Sequence, residues 1–500
     1  MKKFALLVAM VFNLAASELY MSFSSNIGRL NPILATDSAS SEIADWLFAS
    51  LISYDKNANI RLDIAKSYKF TDDKTLIFEI KDNAYWHDGV QITADDVVFT
   101  FNTIKSPEVF TPYAQEFRKV ASVTALSNLK VQIKYKEPYF KALESWMMPL
   151  LPKHILQNET DLMTSKFNFA PIGSGDYMIK NFEQSKDIEL YAFDKYFKHR
   201  PYIDKVIYKY LPDSSTEFLM LKTKKLDIGG LSPLQLERQL DDAFRKNYKI
   251  IEKGGDNYTY LGFNLTNKKF ADPRVREAIS LAIDRQELVD IIFLGHAKVC
   301  TGPFLPKSFA FNPNIKAPIQ NIQKAKELLK QAGYDETHPL TFEIATNSNN
   351  RLRMYTAEII QRQLLKAGVN VKIKGMEWQA FLNTVVNPRK FDTVLLGWSL
   401  SVVPDAFAIW HGSQVGKKGG FNFISYKNQK VDTLIDEAEK TIDKAKLAKK
   451  FQEIFAEITK DNPTLFLYIP NSITAVNKKI NPVEPGITGI MHNRIEWIKQ

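Results

Sequence analysis

The sequence predicts a mixed α/β fold made of at least two packed units. The chain has 500 residues, whereas a single domain usually contains about 50 to 250 residues. Strand-like segments and amphipathic helix-like segments alternate along the whole chain, which is typical of α/β proteins rather than of helical bundles or sandwiches. The composition, 45% hydrophobic and 24% charged, is close to the globular average and predicts an ordered protein.

The first 17 residues have the organisation of a secretory signal peptide. Lys2 and Lys3 supply positive charge, a mostly apolar run extends from Phe4 to Leu14, and small residues follow at Ala15 to Ser17. The apolar run has about 11 residues, fewer than the ~20 that span a bilayer, so a membrane anchor is the less favoured interpretation. Cleavage would leave Glu18 as the first residue of a secreted protein.

The cysteine content and the charge exclude several classes of protein. Cys300 is the single cysteine, which rules out an intramolecular disulfide and a multi-thiolate metal site. No cysteine follows the signal peptide for lipid attachment, so a freely diffusing periplasmic protein is predicted. The formal net charge is +10, but the basic residues are dispersed among 56 acidic ones and no nucleic-acid-binding motif accompanies them. We therefore expect no nucleic-acid partner.

Several helices and one strand are marked by local signals. Thr93 and Asp96 have capping-box spacing before an apolar run, and Asp272 followed by Pro273 predicts the start of a second helix. An amphipathic stretch from Arg353 to Ala367 ends at a glycine, and a strand with alternating apolar residues follows it. A long amphipathic helix or a pair of helices is predicted over 431–458.

The usual short motifs of enzymes are absent from the sequence. There is no nucleophile elbow, no HExxH zinc helix, no phosphate-binding glycine loop and no GxGxxG motif. The seven histidines are too far apart in sequence to form a local metal-binding pair. We therefore predict no catalytic residues and no cofactor. A secreted hydrolase remains an alternative, because carboxylate-based enzymes such as glycosidases carry no short signature.

Five short segments occur in an order that matches a known family. They are Leu30 to Pro32; Trp86 to Gly89 with Thr93 to Phe99; Pro171 to Tyr177; Asp272 to Arg276 with Ala282 to Arg285; and Gly397-Trp398 with Pro404-Asp405 before Trp410. In this order they resemble the extracellular solute-binding proteins of family 5, the binding components of ABC importers for oligopeptides, dipeptides and nickel. One departure is Asp176, where the family usually has proline.

The resemblance implies a periplasmic binding protein type II fold, in which two lobes joined by a hinge close around a ligand. Lobe I would carry an extra inserted α/β domain. The implied boundaries are 18–55, 165–264 and 469–500 for lobe I, 56–164 for the inserted domain and 265–468 for lobe II, with the chain crossings near Phe263 to Leu265 and Leu467 to Asn471. The implied protein is a monomeric receptor whose closed state is read by a membrane permease.

The resemblance also points to residues that would bind the charged ends of a peptide. Arg353 lies in an Asn-x-x-Arg pattern where related proteins place an arginine for the ligand carboxylate. The acid that holds the ligand amine commonly follows the Gly-Trp pair, but here Ser401 and Val403 occupy those places and only Asp405 remains. Either Asp405 takes this role with a shifted geometry, or the ligand has no free amine to anchor.

Further candidates have weaker support from the sequence. Trp398 and Trp410 are placed to stack on ligand side chains, although core packing is an equal alternative. Asn31 belongs to the first family segment and is also a candidate ligand contact. His492 raises the alternative of nickel or a metal chelate, since imidazole is a ligand suited to nickel. We favour a peptide or peptide-like ligand over a metal chelate, another small solute or an enzyme.

Overall fold

The computed structural model describes residues 16–180, 182–417, 420–487 and 489–500. The predicted signal peptide therefore lies almost entirely outside the described residues. The strands are β1 (Glu18–Phe23), β2 (Ile52–Tyr54), β3 (Ile60–Leu62), β4 (Ala65–Asp72), β5 (Thr75–Ile80), β6 (Val120–Ser127), β7 (Lys130–Tyr135), β8 (Tyr177–Ile179), β9 (Ile188–Ala192), β10 (Lys205–Tyr210), β11 (Ile228–Gly230), β12 (Tyr248–Lys253), β13 (Asn257–Phe263), β14 (Ala297–Val299), β15 (Thr341–Asn347), β16 (Asn370–Met376), β17 (Thr393–Ser399), β18 (Thr464–Pro470), β19 (Ser472–Asn477), β20 (Ile480–Asn481) and β21 (Ile498–Lys499).

The α-helices alternate with these strands, as the sequence predicts for a mixed α/β fold. They are α1 (Ser38–Leu47), α2 (Ala94–Lys105), α3 (Lys153–Leu156), α4 (Ser214–Lys222), α5 (Pro233–Arg238), α6 (Asp242–Asn247), α7 (Pro273–Ala282), α8 (Arg285–Phe293), α9 (Ile322–Gln331), α10 (Arg351–Lys366), α11 (Trp378–Phe381), α12 (Phe407–Trp410), α13 (Gln429–Glu439) and α14 (Lys444–Asp461). Within the described part of the chain, none of them is both long and apolar enough to cross a lipid bilayer.

Lobe I contains three sheets of three or more strands, besides the two-stranded sheets β2-β3 and β20-β21. A four-stranded sheet has the order β1-β10-β9-β8 with β1 and β10 parallel, and a three-stranded sheet has the order β11-β19-β12. The antiparallel sheet β4-β5-β7-β6 belongs to the inserted segment. Leu19 and Val206 of the first sheet and Leu76 and Phe78 of the inserted sheet are fully buried in one continuous core. The inserted segment is therefore packed as part of lobe I.

Lobe II is built around one six-stranded sheet. Its order is β14-β18-β13-β17-β15-β16. Val394 and Leu396 point into a core on one face, whereas Leu395 points into a second core on the other face. Because successive residues of a strand point to opposite faces, a strand with three buried residues in succession requires that both faces be covered.

The helix starts predicted from capping signals are confirmed. The backbone N–H of Thr93 donates to the carboxylate of Asp96 at 2.9 Å, which completes a capping box at the start of α2. Asp272 caps α7 by accepting from the N–H of Arg274 at 2.9 Å. The predicted amphipathic segment before Gly368 forms α10, and the segment over 431–458 forms the pair α13 and α14.

The hinge consists of two chain crossings that lie side by side. Strands β12 and β13 are separated only by residues 254–256, and β18 and β19 only by Asn471. A Cβ atom at Gly255 would lie 2.1 Å from the carbonyl oxygen of Pro470, so glycine is required where the crossings meet. Because β13 pairs within the six-stranded sheet, we propose the first crossing at 254–256 instead of Phe263 to Leu265.

His296 links the two lobes beside this hinge. Its ring nitrogens lie 2.8 Å from Glu252 and 2.9 Å from Glu237, which belong to lobe I. Hydrogen bonding to Glu252, supported by Glu237, raises the pKa of His296. A group with a raised pKa in the folded state adds stability below its unfolded pKa, and this stability is lost as the pH rises through the folded value.

We therefore expect the variant His296→Gln to be destabilised in a pH-dependent manner. The expected loss in free energy of unfolding is about 0.5 to 1 kcal/mol near pH 5.5, because the two glutamates are partly exposed to water. The loss should become smaller above pH 8. Urea denaturation at both pH values measures this difference, with His338→Gln as the control, since His338 is exposed. Equal losses at both pH values would contradict the assignment.

Candidate functional site

A large cavity lies between the two lobes. Its volume is about 2360 Å³. Lobe I and the inserted segment contribute one wall, which includes Asp37, Tyr54 and Tyr113, and lobe II contributes the other, which includes Tyr260 and Trp398. Pockets for small molecules usually have volumes of about 300 to 1,000 Å³. The cavity therefore has room for a ligand much larger than a single metabolite.

The lobe II wall carries a group of stacked aromatic rings. Trp398 lies near the end of β17, and its ring is nearly parallel to those of Tyr260, at 6.4 Å, and Phe423, at 5.6 Å. Phe421 contacts the edge of this stack at 5.2 Å. All four rings line the cavity. Aromatic faces of this kind bind apolar groups and flat amide groups without requiring one particular side chain.

Arg353 lies one layer behind this wall. Its Nη1 donates to the side-chain oxygen of Asn347 at 3.0 Å, and a Cβ atom at Gly397 would lie 2.8 Å from its Nη2. Burial lowers the pKa of Arg353, and among the described residues no acidic side chain forms an ion pair with it. The absence of a side chain at Gly397 lets the guanidinium approach the cavity. Arg353 remains our candidate for the ligand carboxylate.

Asp405 lines the cavity but already has a cationic partner. Its carboxylate accepts from Nζ of Lys141 at 2.7 Å, and Lys141 also donates to Glu116 at 2.7 Å. Burial acts to raise the pKa of Asp405, but the ammonium group of Lys141 outweighs it, and the pKa falls to about 2. Asp405 is thus engaged in an ion pair with the inserted segment, which leaves it less suited to anchor a ligand amine.

Two of the other candidates lie in the core. Asn31 is fully buried, and its amide donates to Asn168 at 3.0 Å and accepts from the N–H of Ile33 at 3.3 Å. Trp410 is 2% exposed and packs against Tyr426 and Phe466. Neither residue lines the cavity, so we revise both from ligand contacts to structural residues. The polar amide of Asn31 and the apolar ring of Trp410 serve the packing of the core.

Ser401 and His492 lie in different environments. Ser401 lines the cavity, and its hydroxyl donates to the carbonyl oxygen of Val403 at 2.6 Å. His492 is in a 3-10 turn near the C-terminus, where its carbonyl oxygen accepts from Arg61 at 2.9 Å. His492 does not line the cavity. The structure therefore brings Trp398, Ser401 and Asp405 together at the cavity, with Arg353 directly behind them.

Residues 59–420 match the family model of the bacterial extracellular solute-binding proteins, family 5 Middle. The chain belongs to this family. The oligopeptide-binding protein AppA of Bacillus subtilis is 34% identical over 488 residues, which cover 93% of this chain and 89% of AppA.

Solved structures show the same two-lobed α/β fold. The structure of Bacillus subtilis AppA in complex with a nonapeptide matches with a TM-score of 0.91 and 31% identity, covering 97% of this chain and 99% of AppA. NikZ from Campylobacter jejuni in complex with Ni(L-His) matches with a TM-score of 0.87 and 28% identity, covering 97% and 100%. The type II periplasmic binding protein fold predicted from the sequence is therefore confirmed.

In this family 5 protein the two lobes are in contact beside the cavity. Arg118 of the inserted segment forms an ion pair with Glu439 of lobe II, and the N–H of Phe140 donates to the carbonyl oxygen of Glu439 at 3.1 Å. A second contact joins Arg351 of lobe II to Asp213 of lobe I at 2.7 Å. These contacts bring the two walls of the cavity together at its edge.

Sequence reasoning missed the lobe I side of the cavity. Asp45, Glu116, Lys141 and Glu144 lie outside the segments that carry the family resemblance, and Tyr260 lies in a strand that the sequence marks only as apolar. None of them belongs to a short motif.

Replacing Arg353 by alanine should weaken the binding of a ligand with a free carboxylate. We expect a loss of about 1 to 3 kcal/mol if the guanidinium makes a buried, charge-assisted hydrogen bond. The same peptide with an amidated C-terminus should bind both proteins equally well. Isothermal titration measures both affinities, and Arg362→Ala, a change at an exposed position of the same helix, is the control. An unchanged affinity would remove Arg353 from the site.

Proposed function

We propose that this chain is the periplasmic receptor of an ABC importer that takes up peptides of several residues. The observation that carries this proposal is the cavity of about 2360 Å³ lined by both lobes. The volume exceeds what a dipeptide-sized solute needs, and the relative AppA is an oligopeptide-binding protein whose structure contains a nonapeptide. The family consists of solute-binding proteins, which supports binding without chemical turnover.

The lobe II wall supports recognition of a peptide backbone. Residues 400–404 follow β17, form no helix or strand, bend at 402–403 and line the cavity. An extended ligand can pair its amides and carbonyls with main chain of this kind, which gives affinity without a strict demand on side chains. The aromatic rings around Trp398 provide apolar surface for those side chains. The ligand would thus be recognised mainly by its backbone.

Delivery to a membrane permease and secretion are further parts of the proposal. Closure of two lobes over a ligand gives the permease two distinguishable states of the receptor. Glu18 is the first residue of β1, so cleavage of the signal peptide before Glu18 would remove no residue of a strand. N-terminal sequencing of the protein recovered from the periplasm tests this cleavage site.

The decisive experiment is mass spectrometry of the protein purified under native conditions. We expect copurified peptides that are recovered intact after denaturation. Adding such a peptide to the unloaded protein should change the tryptophan fluorescence through Trp398. The fluorescence change should be much smaller in Trp398→Phe. The control Trp497→Phe, which alters a fully buried ring outside the cavity wall, should retain the change. Recovery of a nickel chelate, or of a chemically altered peptide, would overturn the proposal.

A further inference from the structure

The charge of the cavity is opposite to the charge of the protein. The chain has a formal net charge of +10, yet nine carboxylate residues and only three cationic residues line the cavity. Adding Lys141 and Arg353, which lie directly behind the wall, still leaves an excess of four acids. The acids are Asp37, Glu42, Asp45, Glu108, Glu116, Glu144, Asp161, Asp256 and Asp405, and the cations are Arg29, Lys307 and Lys444.

Most of these acids have no ion-pair partner. Lys141 forms ion pairs with both Glu116 and Asp405, and the described residues contain no cation in an ion pair with any of the other seven. Desolvation raises the pKa of Glu42 to about 7 and that of Asp45 to about 6, although both residues are exposed at the cavity surface. A nearby cation favours the ionised form of such carboxylates. A cationic ligand would supply this cation.

A side pocket concentrates this negative charge. It has a volume of about 300 Å³, opens off the cavity and is lined by three acids of lobe I, Asp45, Glu116 and Glu144, and by one cation, Lys141, which pairs with Glu116. The hydroxyl group of Tyr54, which lines the same pocket, is buried and has no hydrogen-bond partner among the described residues. The vacant bonding capacity of Tyr54 points to a polar group of a ligand as its partner, because buried hydroxyl groups are almost always paired.

The rest of the side pocket suits a long, flexible cation. Met147 and Met148 provide apolar surface for the methylene stem of a lysine or arginine side chain, and the ring of Tyr54 can face the charged end. Ser401 also lines this pocket from lobe II. It occupies the place where related proteins commonly have the acid that anchors a ligand amine. Negative charge is therefore missing from lobe II at this point but is supplied by lobe I.

We propose that the side pocket binds an ammonium or guanidinium group of the ligand, with Asp45 and Glu144 as its carboxylate partners. The receptor would then select peptides that carry positive charge. This inference rests on the proposed peptide-binding function. The cation has two possible sources, the N-terminal amine of the peptide or a lysine or arginine side chain, and both have the same chemistry toward a carboxylate.

The test uses nonapeptides of defined sequence and isothermal titration. An alanine-rich nonapeptide with one lysine should bind about tenfold more tightly than the same peptide with norleucine, as expected for one charge-assisted hydrogen bond. N-terminal acetylation of each peptide separates the two sources. Loss of affinity on acetylation assigns the pocket to the N-terminal amine, and loss on replacing lysine assigns it to the side chain.

Two double variants make the test specific to the pocket. In Asp45→Asn/Glu144→Gln the preference for the charged peptide should fall to about threefold or less. The control Asp73→Asn/Glu453→Gln removes the same charge from exposed positions and should retain the preference. If the first variant does not fold, the affinities of the charged and uncharged peptides for the unchanged protein still test the inference. Binding of all peptides with equal affinity would overturn this inference alone, whereas binding of none would overturn the proposed function as well.

Discussion

Replacing Lys141 by methionine is expected to lower the free energy of unfolding by about 3 to 5 kcal/mol. Lys141 is 7% exposed and holds the carboxylates of Glu116 and Asp405, each at 2.7 Å. Methionine has a similar length but no charge, so the variant would leave two acids facing each other in a buried place. Removing one partner from a buried ion pair is far more costly than removing an exposed one, because the remaining charge cannot be hydrated.

The matched control for this variant is Lys153→Met. Lys153 forms an ion pair of the same length, 2.7 Å, with Asp95, but both side chains are about half exposed, so a change below about 1 kcal/mol is expected. Urea denaturation of both variants gives the comparison. In Lys141→Met/Asp405→Asn, which also removes one of the stranded charges, part of the loss should be recovered. A loss in Lys141→Met no larger than the control would show that the three charges are not coupled.

A loss of similar size, about 3 to 5 kcal/mol, is expected for Arg494→Met. Nε and Nη2 of Arg494 donate to the two carboxylate oxygens of Asp176 at 2.7 and 2.5 Å. Nη2 also donates to the carbonyl oxygen of Asp45 at 2.6 Å, and the guanidinium lies 4.3 Å from the ring of Trp46. Asp176 is 2% exposed. Methionine would leave this carboxylate buried without a partner.

Arg200→Met is the control for the second variant. Arg200 pairs with Asp194 and Asp204 on the surface, where it is 42% exposed, and a change below about 1 kcal/mol is expected. In Asp176→Asn/Arg494→Met the stranded charge is absent, so the loss should be smaller than in Arg494→Met alone. Denaturation curves that show equal losses in the single and double variants would contradict the role assigned to the ion pair.

The ion pair also explains the departure from the family at position 176. The sequence shows only that an aspartate stands where the family usually has proline. In the folded protein, Asp176 connects the third family segment to the C-terminal residues through Arg494. The two residues are 318 positions apart, so no local pattern could relate them.

Predictions from the sequence succeeded where the deciding residues are close together in the chain. The start of α2 depends on Thr93 and Asp96, three positions apart, and the start of α7 depends on Asp272 and the residues immediately after it. The end of α10 follows from the glycine after it, and the next strand follows from its alternating apolar residues. The order of five family segments was sufficient to predict the type II fold.

The candidate site was predicted less completely. Trp398 and Asp405 line the cavity, whereas Trp410 and Asn31 have buried positions in the core. A tryptophan near a family motif has the same local pattern whether it faces a ligand or packs against Tyr426 and Phe466. Which of the two applies is decided by the direction of the side chain in the folded protein, and that direction depends on packing partners far away in sequence.

The order of the family segments was thus enough to predict the family and the two-lobed fold. Patterns of neighbouring residues were enough to predict the helix boundaries, because capping and apolar periodicity act over a few residues. The charge of the ligand cavity was decided only by tertiary structure. Lys141 and Asp405 are 264 positions apart, and Asp45 and Glu144 come to the same pocket from different parts of lobe I. The energy of a charge depends on the groups that surround it in the folded protein, and those groups are far from it in the sequence.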